Sequence, residues 1–141
     1  MGLNTEEIMN ELTREEKEEI TDMFGKMVIE MVRDRSLDFA MNKAKYTTVN
    51  PIQRERYKIL ETLNEEQQEK VCDLLSETLT SAIFNFLHMF EDYPDIMKLI
   101  VTKDGQEYDL AKVSEMIGAE ITFSDEDGWI QKFSKIGRFI L

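Results

Sequence analysis

Apolar residues recur at intervals of three and four through the first two thirds of the chain, a spacing that predicts amphipathic helices. Thr13 and Glu16 form a capping box, in which each side chain accepts a hydrogen bond from the backbone N–H of the other residue, so a helix is expected to begin there. One stripe follows that is expected to face a core: Ile20, Met23, Phe24, Met27, Val28 and Met31. Its phase breaks after residues 33–35, and a separate short helix is expected to carry Leu37, Ala40, Met41 and Ala44.

The longest regular pattern predicts a helix of about seven turns that ends near Asp92. It follows a second capping box, formed by Asn64 and Gln67. Its end is predicted by Pro94, which disfavours a helical conformation at the preceding residue and has no backbone donor. Another helix is expected to begin at Asn50-Pro51, because asparagine caps helices well and proline loses no hydrogen bond at the first helical position.

The pattern changes after Pro94 to short segments that are typical of strands. Residues 96–102 are rich in aliphatic and β-branched side chains, and Asp104-Gly105 favours a two-residue hairpin turn into a strand over 107–110. Asp109 is a candidate cap for a short helix that ends at Gly118. Alternating apolar residues predict a second hairpin, with strands over 121–123 and 129–133 and an acidic turn between them.

Helices followed by hairpins predict an α+β fold, in which N-terminal amphipathic helices, one of them long, pack on a small C-terminal antiparallel sheet of two hairpins. A single domain over residues 1–141 is expected, helical over 5–92 and hairpin-rich over 95–141, because no linker-like segment divides the chain.

The chain carries a net charge of −12 that is unevenly distributed. Residues 1–32 carry −6, residues 33–58 carry +4, residues 59–127 carry −13 and residues 128–141 carry +3. A field this negative repels nucleic-acid phosphates and attracts basic partners. The basic stretch has the composition of a phosphate contact, but we expect it to pair within the fold or across a dimer: Lys43, Lys45, Arg54, Arg56 and Lys58, with Tyr46 and Tyr57.

Targeting signals are not evident. No run approaches the roughly 18 consecutive apolar residues of a membrane span, and the first thirty residues are acidic where a signal peptide would be basic or apolar. The single cysteine, Cys72, cannot form an internal disulfide, which fits a reducing compartment. The expected location is therefore the cytoplasm, with no membrane and no nucleic-acid partner.

No catalytic or metal-binding constellation is visible, and no cofactor is expected. The acidic turn before Gly128 fails as a calcium loop, because the ligand positions counted from that glycine fall on Phe123 and Ser134. His88 is the only histidine; it is expected to interact with the carbonyls at the helix end, and pairing with Glu91 is the alternative. Cys72 is expected to be a small buried apolar residue and lies too far along the same helix to pair with His88.

The ending over residues 126–134, which reads EDGWIQKFS, resembles the end of small acidic bacterial proteins of unknown function, some of which are similar to toxin-neutralising immunity proteins. This resemblance implies a bacterial protein that is not an enzyme.

Two functions follow from these observations. The first is a non-catalytic acidic protein-binding module, of the bacterial immunity or antitoxin type, that occludes a basic partner surface or self-associates. Its predicted contact residues are Glu65, Glu66, Glu69, Asp73 and Glu77 on the long helix, and Asp125, Glu126, Asp127 and Trp129. The alternative is a small-molecule-binding protein or enzyme that uses carboxylates, Tyr93 or Tyr108 in a pocket between the long helix and the sheet.

Overall fold

The computed structural model describes residues 11–41, 50–121 and 128–136, which form a mostly helical α+β fold. The helices are α1 (Arg14–Met27), a π-helical segment (Val28–Asp34), α2 (Arg35–Met41), α3 (Pro51–Glu61), α4 (Glu65–Asp92), α5 (Leu110–Val113), a 3-10 helix (Ile117–Glu120) and α6 (Trp129–Phe133). Strands β1 (Ile100–Lys103) and β2 (Gln106–Asp109) form one antiparallel hairpin near the C-terminus.

Both predicted capping boxes are confirmed. The backbone N–H of Glu16 donates to Thr13 Oγ1 at 3.1 Å, and the N–H of Thr13 donates to Glu16 Oε2 at 3.1 Å. Asn64 and Gln67 exchange equivalent bonds of 2.8 and 3.1 Å at the start of α4. Because local hydrogen bonds alone fix these helix starts, they could be predicted without knowledge of the tertiary packing.

A π-helical segment changes which side of the first helix is buried. The predicted stripe is wrong at Met27 and Met31, which are exposed, whereas Phe24 and Val28 are half-buried against the core. The buried positions instead recur every four residues: Thr21, Gly25, Ile29, Arg33 and Leu37. In a regular α-helix of 3.6 residues per turn such a series rotates away from the core, whereas a segment with i to i+5 hydrogen bonds has a wider turn and keeps the series aligned.

The first predicted hairpin is confirmed. Ile100 pairs with Asp109 and Lys103 with Gln106 across the two strands. Asp104 and Gly105 have φ angles of 53° and 78°, the positive values that a tight two-residue hairpin loop requires at both positions. Asp109 occupies the position before α5 as predicted, but its side chain makes no capping hydrogen bond to that helix.

The predicted second hairpin is wrong at its returning strand, because residues Trp129–Phe133 form helix α6. Trp129, Gln131 and Phe133 are spaced two residues apart, as on one side of a strand. Trp129 and Phe133 are also i and i+4, which places them on one side of a helix. Ile130 decides between the two, since it is buried beside Trp129 on the same core-facing side. Apart from Ile121 and Gly128, the rest of that predicted hairpin falls within residues 122–127, outside the described residues.

The core joins both ends of the described chain around Trp129, which is completely buried. The indole packs edge-on against Phe24 of α1, with ring centroids 6.0 Å apart and planes at 66°. Gly25 of α1 lies against the face of the same indole, where an added Cβ would overlap the ring atoms. A glycine is therefore required at position 25 by the close approach of the helix backbone to Trp129.

We predict that Gly25→Ala destabilises the protein by about 1–3 kcal/mol, because the new methyl group forces the indole or helix α1 to move. Chemical denaturation of the variant and the wild type measures the change. Lys26→Ala, at the exposed neighbouring position, is the control and is expected to leave stability nearly unchanged. An unchanged free energy of unfolding for Gly25→Ala would contradict the packing described here.

Candidate functional site

The buried guanidinium of Arg33 attaches the N-terminal helix to α4. Its Nη2 donates to Ser76 Oγ at 2.8 Å, and its Nε donates to Thr80 Oγ1 at 3.3 Å. Ser76 and Thr80 are one helical turn apart and both are buried. A fork of fixed donors thus sets the position and rotation of the long helix against the π-helical segment.

Asp34 extends this network to the C-terminal part of the chain. Its Oδ1 accepts from Arg33 Nη1 at 2.9 Å and from Ser134 Oγ at 2.8 Å, and its Oδ2 accepts from the backbone N–H of Lys135 at 2.8 Å. Burial lowers the pKa of Arg33, and the adjacent carboxylate of Asp34 opposes that shift. Three separate segments therefore meet at one buried ion pair.

Of the predicted acidic residues of α4, all but Glu77 lie on the part of the helix that extends beyond the core. Glu65, Glu66, Glu69 and Glu77 are exposed, and Asp73 is half-buried. Glu65, Glu69 and Asp73 share the side of the helix that is buried further along, at Ser76 and Thr80. No side chain that the structure describes between residues 50 and 75 is buried, so α3 and the first turns of α4 project from the core.

A second side of α4 is apolar and is not buried. We call it the outer stripe of α4, and it consists of half-buried Leu75 and Leu79, exposed Ala82, Phe86 and Met89 at helical spacing, and exposed Tyr93 directly after the helix end. Exposed fractions of 54% for Phe86, 39% for Met89 and 54% for Tyr93 are high for large apolar side chains. The buried side of α4, with Ile83 and Leu87, lies next to this stripe, so the core does not cover it.

The other predicted contact residues do not join α4 within the described part of the chain. Trp129 is completely buried in the core, which gives it a packing position rather than an accessible surface. Asp125, Glu126 and Asp127 lie outside the described residues. The contact between Trp129 and Gly25 could not be predicted from the sequence, because it depends on the close approach of a distant helix.

His88 pairs with Glu91, the alternative noted for it in the sequence. Its Nδ1 lies 3.0 Å from Glu91 Oε2, and its ring packs edge-on against Phe84. The other carboxylate oxygen of Glu91 accepts a 3.0 Å hydrogen bond from the backbone N–H of Gly118. This cluster fastens the end of α4 to the 3-10 helix, which is a structural role. Cys72 is half-buried on α4.

The basic stretch is only partly within the described residues, which exclude Lys43, Lys45 and Tyr46. Arg54, Arg56 and Lys58 are exposed on α3 and Tyr57 is half-buried. Lys58 Nζ forms an ion pair of 2.9 Å with Glu55 on the same helix.

A cleft of about 670 Å³ lies between α1, the segment from α5 to the 3-10 helix, and α6. The sequence predicts a pocket between α4 and the sheet. No residue of α4 or of the hairpin lines this cleft, and neither Tyr93 nor Tyr108 takes part in it. The lining carries both charges: Arg14, Lys17, Glu18, Thr21, Asp22, Lys112, Val113, Ser114, Glu115, Met116, Glu120 and Lys132.

The carboxyl group of Glu120 lies half-buried in this cleft. Burial raises the pKa of Glu120, a hydrogen bond of 3.0 Å from Ser114 Oγ opposes the shift, and the charge of Asp22 adds to it. Burial would lower the pKa of Lys132, but hydrogen bonds to Asp22 at 2.9 Å and Glu18 at 3.2 Å raise it. The cleft thus holds a fixed ammonium group and a carboxyl group that resists ionisation.

Among residues 11–41, 50–121 and 128–136, no group of three or more His, Cys, Asp or Glu side chains is arranged to hold a metal ion. Within the same ranges, no helix has the length and apolar character needed to cross a membrane.

We predict that Asp34→Asn destabilises the fold by about 3–5 kcal/mol, because it leaves the Arg33 guanidinium buried without its counter-charge. Denaturant titration at neutral pH provides the measurement. Asp95→Asn removes an exposed carboxylate and is the control, with little expected change. If the two variants lose the same free energy of unfolding, the buried Arg33–Asp34 pair does not stabilise the fold as we describe.

We also predict that Glu120→Gln is more stable than the wild type at neutral pH. The folded chain resists ionisation of Glu120, so its stability falls as the pH rises from the ordinary glutamate pKa of about 4.3 through the raised value. The glutamine oxygen still accepts from Ser114 and carries no charge. The gain in stability of Glu120→Gln should vanish at pH values below the ordinary pKa, where the carboxyl group is protonated in both the folded and the unfolded state.

Urea denaturation at neutral and acidic pH tests this dependence. Glu115 is an exposed residue of the same cleft, so Glu115→Gln is the matched control. It should show no comparable gain in stability at neutral pH. A gain for Glu120→Gln that is the same at both pH values would contradict the assignment.

Comparison with known proteins gives one match. A model of a family of unknown function, DUF6547, matches residues 17–129, from the first turn of α1 to the first residue of α6. No curated protein and no solved structure shows significant similarity to the chain. The matched region contains Arg33, Asp34, Ser76 and Thr80 of the buried network, all of α4 and most of the cleft. Because it spans most of the sequence, the chain belongs to the DUF6547 family of unknown function.

Proposed function

We propose that this protein is a non-catalytic acidic protein-binding module that contacts a basic partner through α4. The observation that carries the proposal is the outer stripe of α4, where Phe86, Met89 and Tyr93 stay exposed on the helix that also carries the predicted acidic residues. Aromatic residues and methionine are enriched in protein interfaces, and contiguous exposed apolar surface on a folded protein marks a contact site.

The two parts of α4 have different roles in the proposed contact. The exposed carboxylates of Glu65, Glu66, Glu69 and Glu77 attract a basic partner and raise its rate of association, an effect that salt weakens. The outer stripe supplies the buried apolar area that slows dissociation. The Arg33 network holds α4 in place, so little conformational entropy is lost when the partner binds.

The most specific form of the proposal is a bacterial immunity or antitoxin type of protein that acts in the cytoplasm by occluding a basic surface of its target. The resemblance of residues 126–134 to the end of small acidic bacterial proteins supports this form. The excess of acidic residues over residues 59–127 also supports it, since such a surface is complementary to a basic active site.

We predict that neutralising the acidic part of α4 weakens partner capture at least ten-fold. The test variant is E65Q/E69Q/E77Q, and the control is E15Q/D95N/E107Q, which removes the same charge from exposed positions outside α4. Both are compared with the wild type by quantitative affinity capture from the organism of origin at low and at raised salt. A second test variant, F86S/M89S, removes apolar contacts without changing the charge.

The proposal requires that both α4 variants lose the protein retained by the wild type while the control keeps it. It also requires that raised salt weakens capture by the wild type more than capture by E65Q/E69Q/E77Q. Equal retention by all four proteins would overturn it, as would equal loss by the control, because net charge rather than α4 would then govern binding. Circular dichroism of each variant checks that its helical content is unchanged, so that loss of binding is not caused by unfolding of α4.

A further inference from the structure

Helix α3 carries an exposed stripe that neither the fold nor the proposed function uses. We call it the α3 stripe, and it consists of Ile52, Glu55, Arg56 and Ile59. These positions are i, i+3, i+4 and i+7, so their side chains lie on one side of the helix. Ile52 is 70% exposed and Ile59 is 65% exposed, whereas the charged residues between them offer one carboxylate and one guanidinium.

The order of residues in the α3 stripe is self-complementary. Read from either end, it runs apolar, charged, oppositely charged, apolar. We infer that two copies of the chain associate by antiparallel pairing of their α3 helices across a two-fold axis. Ile52 of each copy then meets Ile59 of the other, and Glu55 meets Arg56, as an isologous interface requires.

Charge selects the antiparallel arrangement over the parallel one. A parallel pair would place Glu55 against Glu55 and Arg56 against Arg56, which is repulsive. In the antiparallel pair both central contacts join opposite charges. The two isoleucines lie about 10 Å apart along the helix, at 1.5 Å per residue, so they flank the two ion pairs and shield them from water.

Within the described part of the chain, the contacts of α3 leave this stripe free. Half-buried Tyr57 and Leu60 are on a different side of the helix, and the carbonyl of Leu60 accepts a 2.8 Å hydrogen bond from Gln68 Nε2 of α4. Arg56 has no ion-pair partner among the described residues. Among the residues that the structure describes, Glu55 pairs with Lys58 of its own helix, an exposed ion pair of the kind that contributes little to stability.

The expected dimer is weak and reversible. Helix α3 has 11 residues, and a contact between two such helices falls below the about 1,200 Å² of total buried surface at which stable interfaces begin. The net charge of each copy opposes association, but charges farther apart than the Debye length of about 10 Å at 0.1 M salt are largely screened. Only the local complementarity at α3 then distinguishes this pairing from random collision.

Sedimentation equilibrium over a wide range of protein concentrations tests the proposal. The wild type is expected to dimerise reversibly at high concentration. Arg56→Glu and Glu55→Arg each place like charges in the central contacts and are expected to weaken association at least ten-fold, although they change the net charge in opposite directions. The double variant E55R/R56E restores opposite charges and is expected to recover wild-type association.

Two further variants separate the stripe from general charge and folding effects. Lys98→Glu changes the net charge by the same amount as Arg56→Glu at an exposed position outside α3, and it is expected to dimerise like the wild type. I52S/I59S is expected to remain monomeric. A wild type that stays monomeric at every concentration would overturn the inference. So would a folded E55R/R56E protein that fails to recover association, or a Lys98→Glu protein that loses it.

Discussion

The buried guanidinium of Arg33 is the interaction on which the arrangement of this fold depends. It links the π-helical segment to α4 through Ser76 and Thr80 and, through Asp34, to the residues that follow α6. A buried charge is tolerated only when its partners are held in good geometry, so the three segments must take one relative position. That position decides which side of α4 enters the core and which side, the outer stripe, remains accessible.

The elements set by local hydrogen bonds and turn geometry could be predicted from the sequence. The capping boxes at Thr13 and Asn64, the end of α4 before Pro94 and the hairpin turn at Asp104-Gly105 all depend on neighbours within four residues. The π-helical segment and α6 could not be predicted in this way. The first is tied to distant partners, since its Arg33 bonds Ser76 and Thr80 of α4 and the nearby Gly25 packs on Trp129. The second has apolar residues at positions 129 and 133, a spacing that occurs in both strands and helices.

In the candidate site, too, some features could be predicted from the sequence and others could not. The exposure of the acidic residues of α4 was predictable, because charged side chains on an amphipathic helix face solvent unless they are paired. The exposure of Phe86, Met89 and Tyr93 was not, since the same apolar residues at the same spacing would normally indicate a core-facing side. Ser76 and Thr80, one turn apart and surrounded by apolar residues, were the available signal that the buried side of α4 meets a polar partner.

The most direct measurement of the central claim, that α4 is the partner-binding surface, is site-specific photo-crosslinking in the organism of origin. A photoreactive phenylalanine analogue is placed at Phe86 or at Tyr93, and at Met31 as a comparably exposed apolar position on another helix. We predict that Phe86 and Tyr93 crosslink to the same basic protein and that Met31 does not. Crosslinking to that protein from Met31 but from neither α4 position would contradict the account.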